Sequence, residues 1–94
     1  MKTQRFASVW DALEDTPAEA ASMKARSELM MAVRDAVESW DITQARAARR
    51  LKITQPRLND LLRGRINKFS LDALIDLAYQ AGLSVRVKIA RKAA

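Results

Sequence analysis

The chain has 94 residues, 49% hydrophobic and 30% charged, which is enough for one small core and too little for a second. Only two glycines and two prolines interrupt a composition led by alanine, leucine, arginine and lysine, which argues for helices and against an all-β sandwich. With no cysteine and no histidine, disulfides, zinc ribbons, a thiol nucleophile and the usual general base near neutral pH are excluded, so the expectation is a non-enzyme with no cofactor and no metal.

The net charge is +6 and unevenly placed. Up to Asp41, five basic residues face eight acidic ones, a net −3; from Ile42 onward twelve basic residues face three acidic ones, a net +9. The densest stretch, Arg46 to Lys68, sets eight cations against Asp60 alone. Such a concentration is the footprint of a polyanion-binding face, the plainer alternative being a solvated basic surface. The longest uninterrupted apolar run is Leu29 to Val33, far short of the roughly 20 residues that span a bilayer, and no secretion signal follows Met1 and Lys2. No membrane partner and a cytoplasmic location are therefore expected.

In chain order, Ser8-Val9-Trp10-Asp11 matches a helix-capping box and predicts a short helix over 9–14. Thr16-Pro17-Ala18-Glu19 is a second start signal, with threonine as cap and proline in the first turn where its missing N–H is not needed. A long helix is predicted from there toward Trp40, with Met30, Val33, Val37 and Trp40 on one face and Leu29 beside them. Its alanine-rich first half has little to bury, so it is either one helix whose start packs on a partner or two helices broken near Ser22. Residues 1–41 thus form a helical extension and the first core helix.

Thr43 is placed to cap a helix from Gln44 to Leu51 that turns Ala47, Ala48 and Leu51 inward. Lys52 and Ile53 make a tight turn, and a second short helix starts at Gln55 or Pro56, with Thr54 or Gln55 as its cap, and closes at Gly64. Leu58, Leu61 and Leu62 supply its buried face. Ser70 caps a closing helix that ends before Gly82, with Phe69 stapled onto Leu74. Ser84 to Ala90 alternates, Val85, Val87 and Ile89 against Arg86 and Lys88, and predicts a strand. That strand must pair either with residues 3–6 or with its own copy in a second subunit, which makes Val85, Val87 and Ile89 the candidate dimerisation residues.

Two short helices joined by a tight turn, the second entering the DNA major groove, define a helix-turn-helix, and residues 43–64 fit it. Ala48 is small where the helices cross, Leu51 and Ile53 plug the turn, and Leu58 and Leu61 anchor the second helix. The fold expected is therefore all-α: a compact helix-turn-helix domain of four to five helices with an N-terminal helical extension and one short C-terminal β-strand. Gln55, Arg57, Asn59 and Asp60 are left to project outward. Glutamine suits adenine and arginine suits guanine, each through paired hydrogen bonds, unless they bind phosphate instead. Asp60 either accepts from cytosine or pairs with Arg57 or Arg63. Thr54, Arg46, Arg63, Arg65 and Lys68 flank the groove as phosphate-binding candidates, whereas Arg49 and Arg50 are read as solvating the far side of their helix. Trp10 and Trp40 are read as packing residues.

This stretch resembles the phage-repressor-like, or xenobiotic-response-element, family over roughly Leu29 to Leu83. Within it, Thr43-Gln44-Ala45, Thr54-Gln55-Pro56-Arg57-Leu58 and Leu61-Leu62-Arg63-Gly64 look most like HigA-type antitoxins, and Phe6 to Leu13 and Phe69 to Leu74 extend the likeness. The resemblance implies phosphate binding by Gln44, a homodimer on an inverted-repeat operator in double-stranded DNA, and a partner that is a small basic RelE-like ribonuclease toxin. It also exposes a departure, since Lys52 stands where the family often has glycine. A stand-alone regulator and a pure protein-interaction module are the competing readings.

Overall fold

The computed structural model describes residues 16–92, within which four α-helices and one 3-10 turn follow one another and no strand occurs. The helices are α1 (Pro17–Ser39), α2 (Gln44–Leu51), α3 (Gln55–Leu62) and α4 (Leu71–Gln80), and the 3-10 turn spans Ile66–Lys68. The short helix expected over 9–14, with Trp10, lies outside the described residues.

Helix α1 is continuous through Ser22, with Pro17 in its first turn. At about 1.5 Å per residue its 23 residues extend roughly 35 Å, longer than any other element. Its alanine-rich half buries Met23, and its later turns bury Met30, Val33 and Val37. The expected threonine cap differs in detail: the Thr16 side chain bonds no first-turn amide, and its hydroxyl donates to the Glu19 carboxylate instead. Helix α1 ends through Asp41 at φ 52°, a left-handed conformation that aspartate tolerates better than most side chains.

The three shorter helices are built to one plan. Each starts on a hydroxyl that accepts from the amide three residues on: Thr43 from Arg46 at 3.2 Å, Thr54 from Arg57 at 3.2 Å and Ser70 from Ala73 at 3.1 Å. Thr54 is thus the cap of α3, Gln55 is already helical, and Pro56 occupies the first turn. Each also ends on a left-handed residue with the following amide bonded five residues back: Ile53 to the Ala48 carbonyl, Arg65 to Asp60 and Leu83 to Ala78, at 2.9, 3.0 and 2.9 Å. The left-handed residues are Lys52, Gly64 and Gly82.

The helices enclose one core containing Val33, Ala48, Leu51, Leu58, Leu61, Phe69, Leu74 and Leu77. Helix α1 packs chiefly on α4, and α2 packs on α3. Phe69 and Leu74, the pair expected to staple the start of α4, are both buried in this core. No helix among the described residues is long and apolar enough to cross a membrane.

The expected C-terminal strand is corrected. Residues 83–92 follow α4 as irregular chain, and of the three alternating residues only Val85 packs against the core, while Val87 and Ile89 are 77% and 89% exposed. A lone strand's amides need a ladder partner, and none lies beside it among the described residues; residues 3–6, one of the two partners expected, lie outside them. Instead the segment borders an apolar groove of about 500 Å³, lined by Leu29, Ala32, Leu71, Ile75 and Val85 among others.

Candidate nucleic-acid interface

The turn between α2 and α3 sets how the second helix is presented. It is closed by Lys52 at φ 62° and ψ 40°, with Lys52 N–H bonded to Arg49 and Ile53 N–H to Ala48. The departure from glycine at this position leaves the geometry intact, since Lys52 takes the same left-handed turn as Gly64 and Gly82. Ala47 and Ala48 are buried beneath, which lets α2 and α3 cross closely, and Ile53 packs on the core from the turn.

Helical spacing then sorts the side chains of α3. Leu58 and Leu61 point into the core with no exposure, so Pro56, Asn59, Asp60 and, one turn on, Arg63 form the opposite face, with Gln55 on one flank and Arg57 on the other. Gln55 and Arg63 are exposed and Asn59 is half-buried, and neither Gln55 nor Asn59 has a side-chain hydrogen bond among the described residues.

Asp60 and Arg57 are engaged. The Asp60 carboxylate lies 3.4 Å from Arg65 Nη1, where the sequence offered Arg57 or Arg63 as partners. With side chains 48% and 24% exposed, this pair is worth at most about 1 kcal/mol, and its main effect is to neutralise the one acid facing outward from α3. Arg57 turns away from the outward face: its guanidinium lies 4.2 Å over the Phe69 ring and Nη1 donates to the Lys68 carbonyl at 2.7 Å.

Around this helix the basic side chains stay in solvent. Gln44 and Arg46 at the start of α2, Thr54 at the start of α3, and Arg63, Arg65 and Lys68 beyond its end are all exposed. Polar donors on both ends of a short outward-facing helix are what phosphate-anchored recognition uses: backbone contacts set the register and base contacts read sequence. Two features were missed in the sequence. Arg46, Arg49 and Arg50 line a shallow hollow with Ile42 on the side of α2, and Arg50 stacks 4.0 Å over Trp40, so Arg50 has a packing role as well as a charge. The i, i+3, i+4 spacing of these arginines was a usable signal for the hollow, whereas the stacking depended on where α1 ends.

A family model described as a helix-turn-helix domain matches residues 12–90, most of the chain. No curated protein matches the sequence.

Proposed function

Starting from the fact that the chain belongs to this family of helix-turn-helix domains, we propose that it is a sequence-specific DNA-binding repressor, acting as a homodimer on an inverted-repeat operator. The observation that carries the reading is the outward face of α3, where unpaired Gln55 and Asn59 amides lie among exposed cations at the helix ends. Gln55 and Asn59 read base edges, while Gln44, Arg46, Thr54, Arg63, Arg65 and Lys68 hold phosphates. A single two-turn helix touches too few base pairs for useful specificity, which is the physical case for two copies. The exposed Val87 and Ile89, with Val85 beside the apolar groove, are the surface assigned to that dimer contact.

The resemblance to HigA-type antitoxins extends the proposal: the repressor is also the antitoxin of a small basic ribonuclease toxin and controls its own operon. The exposed acids of α1, Glu28, Asp35 and Glu38, suit a basic partner.

Selection of bound duplexes from a random pool, followed by footprinting, tests the DNA reading. It is expected to recover an inverted repeat with half-sites about 34 Å apart, one helical turn. A single unrepeated site would contradict the dimer, and recovery of no preferred sequence would contradict the repressor. Co-expression with the product of a neighbouring toxin-like gene tests the antitoxin role through rescue of growth.

A further inference from the structure

The loop that follows α3 carries two of the exposed cations, Arg65 and Lys68; buried Phe69 and half-buried Ile66 root it in the core and Asp60 pairs with Arg65, but Lys68 has no side-chain partner of its own among the described residues. Its 3-10 turn is three residues long and closed by Lys68 N–H to Arg65 and Phe69 N–H to Ile66, at 3.0 and 3.2 Å. Such turns are common connectors, but their hydrogen-bond geometry is poorer than that of α-helices.

Two arginines from different helices meet this loop at consecutive carbonyls. Arg57 of α3 donates to the Lys68 carbonyl at 2.7 Å and lies flat 4.2 Å over the Phe69 ring, which is itself buried. From α1, Arg26 Nη1 reaches the Phe69 carbonyl at a longer 3.4 Å. The Arg57 bond is short and charge-assisted, and the stacking adds a cation–π contact within the usual 6 Å reach. Reaching a base edge would strip the guanidinium from both, leaving the ring and the carbonyl without their partner.

We propose that Arg57 is a positioning residue, which locks the loop carrying Arg65 and Lys68 against the recognition helix and so acts on DNA through the phosphate contacts of that loop. This rests on the DNA-binding reading above, but it reassigns Arg57 from the base edge that its place on α3 suggests.

The experiment is a binding cycle with a recovered operator duplex and its single-base variants, on the parent, Arg57→Ala, the Arg65→Ala/Lys68→Ala double variant, and the triple combination. Arg57→Ala is expected to weaken binding about tenfold on every duplex, leave the base preference unchanged, and lower the slope of log K against log salt by about 1, since one phosphate contact contributes about 0.9. In the background lacking Arg65 and Lys68, the same change is expected to cost less than twofold, because contacting residues are not additive. Loss of discrimination at one base pair with the salt slope intact, or an equal cost in both backgrounds, would overturn the proposal.

Amide hydrogen exchange supplies a readout that needs no DNA. In Arg57→Ala the amides of Lys68 and Phe69 are expected to exchange at least tenfold faster while those of α1 and α4 keep their rates. Unchanged exchange at these two amides overturns the lock. A parent protein that binds no duplex would instead overturn the DNA-binding reading, and exchange would still decide the role of Arg57 in the loop.

Discussion

Lys52 closes the turn of the motif at φ 62°, a conformation that costs an L-residue other than glycine roughly 1–2 kcal/mol. Gly64 and Gly82 close the same kind of turn without that cost. Lys52→Gly therefore removes strain, offset in part by the larger entropy of glycine in the unfolded chain, about 0.4–1 kcal/mol. The expected outcome is a gain of about 1 kcal/mol, read by thermal unfolding as a rise of roughly 4–8 °C. A fall in Tm would show that the lysine side chain contributes more than its backbone costs. At the other end of a helix, Ser70→Ala removes the oxygen that accepts from Ala73 at 3.1 Å and is expected to cost about 1 kcal/mol by urea unfolding.

At the scale of elements, α3 divides its work by position. Gln55→Ala is expected to erase preference at one base pair, worth about 1–3 kcal/mol of discrimination, and leave binding to random duplex unchanged. Arg63→Ala is expected to weaken operator and random duplex alike and flatten the salt dependence, as loss of a phosphate contact does; gel shifts at several salt concentrations separate the two. Most of these elements were legible because their ends are local chemistry: Thr43, Thr54 and Ser70 announce starts, and Gly64 and Gly82 announce stops. The continuity of α1 was not legible, since what its alanine-rich half buries, Met23, depends on the rest of the fold. Nor was the fate of Arg57, whose helical spacing places it at the edge of the outward face. Only the position of Phe69, brought beside α3 by the 3-10 turn, decides that it folds back. The strand is absent among the described residues for a related reason: alternation in Ser84 to Ala90 records which side chains would share a face, but a ladder needs a partner from outside the segment.

Across the whole molecule charge is concentrated in one stretch: α1 is nearly balanced, its four acids facing Lys24, Arg26 and Arg34, whereas residues 46–68 set eight cations against Asp60. Glu28, Asp35 and Glu38 stand exposed on α1, while the cations of residues 46–68 surround the recognition helix. Truncation after Leu83 removes Val85, Val87 and Ile89 and is expected to shift sedimentation toward monomer and weaken operator binding without unfolding α1 to α4. A truncated chain that stays dimeric would move the dimer contact elsewhere. The central claim is that the basic face engages DNA through phosphates while α3 reads sequence. Its most direct measurement is the affinity of the parent protein for operator and random duplexes between 50 and 200 mM salt. If the dimer makes six to ten phosphate contacts, both affinities are expected to fall by about 10³-fold or more over that range, the operator staying at least about 10³-fold tighter. Affinity insensitive to salt, or equal for the two duplexes at every salt concentration, would contradict it.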